Sequence, residues 1–238
     1  HLGLNKKAKE ALVPAPEVLA GALGKEEYKE MHKAISRDCI TLVKYKDRDV
    51  LPITPERYKR IMIVHVKGAE SGMGMLMKAM GMGGGKNPAE MLKERLCEKG
   101  FDAFIYESPL DAMKKQIAAG EKPNINLYFA GKNAIDDFVS GMDLVITLCD
   151  VSSGRPSFGL SKGGGEIPWY VFELPVVVIG CGQPTMLADV PQARTYINTY
   201  DAKPATFDAL VDDLMAGPDA FKGRDPIDSF CGLFDARL

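Results

Sequence analysis

Three carboxylates occur at positions in the sequence where a general acid and a general base could lie. Asp150 closes the apolar run DLVITLCD, Glu166 follows the glycines at 163–165, and Asp189 lies on a polar loop after a second apolar run. If these runs are parallel strands, all three carboxylates lie on loops at the carboxyl edge of one sheet, where acid/base pairs are often found. Carboxylates at strand ends also cap helices and hold loops, so both roles stay open at this point.

The loops that follow the same strands add two further candidates. Arg155 lies in the loop SGRPSFGLSKGGGE, and Gly182 ends the turn after the strand VVVI. Loops at this edge meet ligands or partners in parallel sheets. The candidates for substrate binding or domain contact are therefore Asp150, Arg155, Glu166, Gly182 and Asp189. No residue is assigned as catalytic, and none as a metal ligand.

Other chemistries lack the residue patterns that they need. Cys181 has no base near it in sequence and no GxSxG elbow exists, so we interpret it as a small residue packed in a tight turn. The three histidines lack partners at metal-binding spacing, and His65 is interpreted as a core or strand-end histidine. The glycines of residues 68–87 match neither the dinucleotide fingerprint nor the P-loop, which favours a surface loop. A backbone anion site at the start of a helix at Pro88 stays open. No cofactor is expected.

Composition narrows the classes of protein. The chain has 238 residues, 46% of them hydrophobic, which is enough for one large core. Its 30 basic and 32 acidic residues give a net charge of -2 without a basic block, so nucleic acid is not an expected partner. No apolar run approaches the ~18–20 residues of a membrane span and no signal peptide is visible, so we expect a soluble protein of unknown compartment, cytoplasmic or exported in its full-length form. The five dispersed cysteines favour reduced core thiols, and the start at His1 favours an excised piece of a longer protein.

Apolar runs and helical periodicities alternate along the chain. Helices are predicted at residues 25–38, 88–99, 110–119 and 205–215, and strands at 40–43, 61–66, 101–106, 143–149, 176–179 and 195–198. This alternation predicts a three-layer α/β/α sandwich with a mainly parallel sheet of about five or six strands. The expected division is a linker or remnant of a preceding domain at 1–24, the sandwich at 25–217, and a tail at 218–238 packed on it.

Four segments in this order resemble a known family. SRDCITLVK, VLPITPERYKRIMIV, PWYVFELPVVVIGCGQPTMLADVPQARTYINTY and FDALVDDLMAGPDAFKGRDPID are similar to the carboxyl-terminal domain of family 3 glycoside hydrolases, more narrowly of bacterial two-domain β-N-acetylhexosaminidases. The resemblance covers the chain from about residue 25 to its end. It implies an amino-terminal TIM barrel as the partner, carrying the aspartate nucleophile and, on a loop of the form KHxPGH, a His-Asp acid/base pair. No such loop occurs here.

In the β-glucosidase branch of the family the carboxyl-terminal domain lends a glutamate as acid/base. Neither Glu70 nor Glu166 lies in a matching motif, so that role is not transferred. The resemblance therefore implies a non-catalytic domain, inactive alone, that packs on the barrel beside a saccharide containing N-acetylglucosamine. The alternative is a stand-alone module that binds a sugar or nucleotide through the loops 152–165 and 180–189. An intact enzyme of unrelated chemistry is disfavoured because no nucleophile and base can be paired.

Overall fold

A six-stranded sheet forms the centre of the computed structural model, which describes residues 15–47, 49–67, 87–107, 115–122, 140–150 and 174–227. The strand order is β1-β6-β5-β4-β2-β3. Strands β2 to β6 run parallel to one another, and the edge strand β1 pairs antiparallel with β6. The strands are β1 Thr41–Tyr45, β2 Arg60–Lys67, β3 Asp102–Ile105, β4 Leu144–Asp150, β5 Val176–Gly180 and β6 Thr195–Asn198. The predicted α/β class and mainly parallel sheet are confirmed.

Four α-helices and two 3-10 helices have both ends within the described residues. They are α1 Pro16–Ala22, α2 Glu26–Cys39, α3 Pro88–Glu98, α4 Pro204–Ala216, and the 3-10 helices Pro184–Asp189 and Pro218–Ala220. Helix α3 shows why the prediction succeeded: Asn87 accepts a hydrogen bond from the Ala89 amide at 3.2 Å, and Gly100 adopts a φ of 91° just after the helix. Of the helix predicted at 110–119, residues 115–118 are helical and 110–114 lie outside the described residues.

Both faces of the sheet are buried, which explains the uninterrupted apolar strands. On one face, alternate residues of β2 and β4, such as Ile61, Ile63 and Ile146, form one cluster with α3 and α4. On the other face, Val178 and Tyr196 pack with Met186 and Leu187 of the 3-10 helix Pro184–Asp189. Strands covered on both sides cannot alternate apolar and polar residues. This burial holds the carboxyl ends of the parallel strands in one rigid edge.

Two expectations need correction. Residues 184–189 form a 3-10 helix instead of a loop, because Pro184 starts a turn whose Met186 and Leu187 are buried against the sheet. Cys39 and Cys97 are exposed, so only Cys149 and Cys181 are the core thiols that were expected among the described cysteines. The segment 1–24, predicted as a linker or a remnant of a preceding domain, contains helix α1, and the division into domains stays a prediction. Within the described ranges, no helix is long and apolar enough to cross a membrane.

Candidate functional site

The sheet has a topological switch point between β2 and β4. These two strands are hydrogen-bonded neighbours, but the chain continues from β2 to β3 on one side and from β4 to β5 on the other. The strands that follow β2 and β4 in the chain therefore lie on opposite sides of this pair. In open α/β sheets ligands bind at this place. Fold topology thus marks the ends of β2 and β4 as the candidate site.

A histidine and an aspartate meet at this switch point. The register pairs His65 with Leu148 and Lys67 with Asp150, so His65 and Asp150 lie on the same face of neighbouring strands. The His65 Nε2 is 3.8 Å from the Asp150 Oδ2. The side chain of His65 is 6% exposed and that of Asp150 is 32% exposed.

This pair can form further hydrogen bonds beyond those found within the described part of the chain. The Nε2 of His65 is buried and has no hydrogen-bond partner there. A distance of 3.8 Å is within reach of an ion pair but too long for a hydrogen bond. The ring nitrogen can therefore donate or accept a hydrogen bond, depending on its tautomer, and the carboxylate can accept one, from a polar group at the ends of these strands. A buried polar atom without a partner is rare in proteins and calls for such an explanation.

Cys181 lies next to this pair, in the turn after β5. Its amide donates to the Cys149 carbonyl at 2.8 Å, and its Sγ is 3.3 Å from the Thr199 hydroxyl. Burial raises the pKa of the Cys181 thiol to about 12; the Thr199 hydrogen bond opposes this, and the charges of Asp150 and Asp201 add to it. The thiol stays protonated at neutral pH, so it is not an activated nucleophile.

The end of β6 is polar but internally satisfied. Asp201 accepts hydrogen bonds from the Lys203 amide at 3.3 Å and from the Thr206 hydroxyl. Burial acts to raise the pKa of Asp201, but these hydrogen bonds and the Lys203 ammonium outweigh it, so the pKa is lowered. Asp201 is thus an ionised residue that holds the first turn of α4, and it has little capacity left for a ligand.

The candidates from sequence fall into three groups. Asp150 lies at the switch point, and Gly182 lies in the turn at the end of the adjacent strand β5. Asp189 is exposed at the end of the 3-10 helix, whose buried residues pack on the face of the sheet opposite His65 and Asp150. Arg155 and Glu166 lie outside the described residues. His65, which we interpret from the sequence as a core or strand-end residue, joins the candidate residues because the strand order places it beside Asp150.

The described residues contain no group of three or more His, Cys, Asp or Glu side chains that could hold a metal ion. The strand order and the position of His65 and Asp150 define a doubly wound α/β domain with a polar pair at its switch point.

Comparisons with known proteins agree with this class. A β-N-acetylglucosaminidase/β-glucosidase of Cellulomonas fimi is 28% identical over 242 residues, which cover 100% of this chain and 37% of that protein. The solved structure of a β-glucoside phosphorylase, BglX, matches 98% of this chain and 37% of its own with a TM-score of 0.69 and 26% identity. A family 3 β-N-acetylglucosaminidase from Paenibacillus sp. str. FPU-7 shares the fold, with a TM-score of 0.53 and 14% identity over 86% of this chain and 33% of its own. No family model matches the chain.

This chain is similar over its whole length to part of these enzymes, and the family 3 glycoside hydrolases among the solved structures are matched in their carboxyl-terminal region, as the ordered motifs had indicated. It spans little more than a third of the length of the curated relative that it matches, 37%.

Proposed function

We propose that this chain is the non-catalytic carboxyl-terminal domain of an enzyme that cleaves β-N-acetylglucosaminides or β-glucosides. It packs on an amino-terminal catalytic barrel, and the carboxyl edge of its sheet forms one wall of the sugar site. The Cellulomonas fimi relative, whose name includes both activities, supports the substrate class. The observation that supports the role of the edge is the His65–Asp150 pair at the switch point, whose ring nitrogen has no hydrogen-bond partner among the described residues.

The chemistry of the pair suits the binding of a sugar. A carboxylate accepts hydrogen bonds from hydroxyl groups, and a neutral imidazole can donate one and accept another. Asp150 is partly exposed, so it can meet a ligand from outside, while the side chain of His65 beside it is almost fully buried. Cys181 is protonated and Asp201 is engaged with α4, so neither adds a nucleophile. The edge therefore orients a substrate and leaves bond cleavage to another domain.

A second candidate concerns the acceptor of the glycosyl group. The solved structure with a TM-score of 0.69 and 26% identity is a β-glucoside phosphorylase. In phosphorolysis the bond between the anomeric carbon and the leaving oxygen breaks, a bond from that carbon to a phosphate oxygen forms, and the leaving oxygen takes a proton. In hydrolysis water replaces phosphate. The two candidates share the same domain and differ in whether phosphate is consumed.

The test uses the longer protein, expressed with the coding sequence that precedes this chain. Turnover of chromogenic N-acetylglucosaminide and β-glucoside is measured with and without inorganic phosphate, and sugar 1-phosphate is quantified. We expect Asp150→Asn and His65→Gln to raise KM about 10- to 100-fold, the loss of a hydrogen bond to a charged group, with kcat little changed. Asp102→Asn is the matched control, because Asp102 is exposed at the amino end of β3.

Three outcomes would contradict the proposal. Turnover by this chain alone would make it catalytic. A fall in kcat of about 10²- to 10⁴-fold in Asp150→Asn with KM unchanged would make Asp150 a general acid or base. Saturable binding of a sugar or nucleotide to this chain alone in a calorimetric titration, with no glycosidase activity in the longer protein, would favour a stand-alone binding module.

A further inference from the structure

Helix α2 exposes an apolar stripe. Tyr28, Met31 and Ile35 are 50%, 58% and 55% exposed, and their spacing of three and four residues places them on one side of the helix. We refer to these three residues as the α2 stripe. Scattered exposed apolar residues are normal on a protein surface, but a contiguous row on one helix marks an interaction site.

The helix contacts its own domain through its polar side. Ser36 is the one residue of α2 that is buried, and the Arg37 Nη2 lies 3.2 Å from the Oδ1 of Asp213 on α4. At 100° per residue, Ser36 and Arg37 lie about 80° and 180° around the helix from Tyr28, whereas Ile35 lies within about 20° of it. The amphipathic helix thus turns its apolar side away from the core of this domain, the reverse of the usual arrangement.

The exposed apolar surface is concentrated near α2. The large exposed hydrophobic side chains of the described residues are Val18, Leu19, Leu23, Tyr28, Met31, Ile35, Phe104 and Ile117. Most of them lie on α1, on α2 or between the two helices. Tyr and Met are also residues that protein interfaces enrich at their centres. Ion pairs between Lys29 and Glu26, 2.9 Å, and between Lys33 and Glu30, 2.6 Å, lie on the other side of the helix, so these charged groups are separated from the stripe.

We propose that the α2 stripe is the surface of this domain that docks on the amino-terminal domain of the longer protein. The inference rests on the proposed function, which supplies that domain. The curated relative has 63% of its length outside the match, since this chain covers 37% of it, and the solved family 3 structures are matched in their carboxyl-terminal region. Helices α1 and α2 are the first elements described, so they follow such a domain in the chain. Because the two domains are joined in one chain, each surface is at a high effective concentration for the other. A small apolar contact is then sufficient to hold the domains together.

Photo-cross-linking in the longer protein tests this surface. Met31 is replaced by p-benzoylphenylalanine, and Glu30, exposed on the other side of the same helix, is replaced in the control. We expect a cross-link from position 31 to peptides of the amino-terminal domain and its loss at position 30. Cross-links between two copies, which a covalent dimer would report, would identify a second copy as the occupant and overturn the proposal. Cross-links to peptides of this domain, or none from position 31, would overturn it as well.

A charge substitution provides an independent measurement. In the longer protein, Ile35→Glu should expose the segment between the two domains to limited proteolysis, whereas Lys33→Glu should not. Because Ile35 is exposed here, its substitution leaves the fold of this domain intact, which far-ultraviolet circular dichroism checks. Activity separates the two proposals. If the longer protein is an active glycosidase but only another face of this domain cross-links to the amino-terminal domain, the α2 stripe is refuted and the proposed function is not. If position 31 cross-links to the amino-terminal domain but the longer protein has no glycosidase activity, the proposed function is refuted and the docking surface is not.

Discussion

Gly180 leaves the space that the hydroxyl of Tyr196 occupies. A Cβ atom on Gly180 would overlap the Tyr196 Oη and would lie 2.9 Å from the Asn198 Oδ1 and 3.1 Å from the Met186 Cε. Tyr196 is fully buried, and its hydroxyl donates to the Asn198 Oδ1 at 3.0 Å. The glycine at the end of β5 is therefore required by a close approach of side chains.

The first prediction is a double-mutant cycle on this contact. Gly180→Ala should lower the free energy of unfolding by about 1–3 kcal/mol, because the added methyl group overpacks the site. Tyr196→Phe should lower it by about 1–3 kcal/mol, because the buried Asn198 oxygen loses its donor. In the double variant the loss of unfolding free energy should be smaller than the sum of the losses in the two single variants, since the hydroxyl that collides with the added methyl group is absent. Urea denaturation measures all four proteins, and strictly additive losses would show that the overlap is relieved elsewhere.

The second prediction concerns thiol reactivity. Cys39 and Cys97 are exposed, whereas burial raises the pKa of Cys149 and Cys181. Iodoacetamide at pH 8 should modify the first two in the folded protein and the second two only after unfolding, because the thiolate is the reactive form. Peptide mass mapping with time reads each site separately. Cys39→Ser serves as the control for assignment, and rapid modification of Cys181 in the folded protein would contradict its structural role.

The third prediction is a pH dependence at a buried carboxylate. Asp213 is fully buried; burial raises its pKa, Arg37 opposes the rise through charge and a hydrogen bond, Asp212 adds to it and Lys222 opposes it. The folded protein thus holds this proton more tightly than the unfolded chain. The contribution of Asp213 to stability is present below its unfolded pKa and is lost as pH rises through its folded pKa.

Two substitutions separate the charge from its partner. Asp213→Asn should be at least as stable as the parent at pH 7, and this advantage should shrink in acid as the parent carboxyl becomes protonated. Arg37→Ala should lose about 1–3 kcal/mol at pH 7, because it leaves a buried charge without its partner, and less in acid. Thermal and urea unfolding from pH 4 to 7 provide the test. A large loss in Asp213→Asn at pH 7 would mean that the ion pair outweighs the cost of burial.

The fourth prediction concerns residues that follow α4. The Gly223 amide donates to the Ile40 carbonyl at 3.1 Å, and a Cβ atom there would overlap the carbonyls of Cys39 and Ile40 and the Thr41 hydroxyl. Gly223→Ala should therefore detach this segment, because backbone atoms cannot give way as a flexible side chain can. Amide hydrogen exchange at residues 221–225 should accelerate, while Lys222→Ala, at an exposed neighbour, should leave it unchanged. Unchanged exchange in Gly223→Ala would show that the segment adapts.

Much of the architecture was predictable because its causes are local. β4 and β5 are continuous apolar runs, and α3 has an Asn cap, a proline in its first turn and a glycine after its end, so the predicted bounds differ from the observed ones by a residue or two. The α2 helix was also predictable, but its orientation was not. Periodicity reveals an apolar side of a helix, and it does not reveal whether that side faces its own domain.

The candidate site was only half predictable for a related reason. The pattern of runs places Asp150 at a strand end, but it does not say which strands are neighbours. His65 and Asp150 are far apart in the sequence, and they meet because β2 and β4 pair in the sheet. Asp189 was expected at the same edge, yet burial of Met186 and Leu187 draws its segment onto one face as a 3-10 helix.

The antiparallel edge strand has a consequence for synthesis. Thr41 of β1 pairs with Asn198 of β6, roughly 150 residues later in the chain. At a translation rate of about 5–20 residues per second, β1 leaves the ribosome on the order of 10 s before the partner that it has in the sheet. During that interval an unpaired strand and the apolar side of α2 are both presented to the cell. β1 is thus synthesised early but forms its backbone hydrogen bonds only after β6 has been made. Until then its unpaired edge can pair with a strand of another chain.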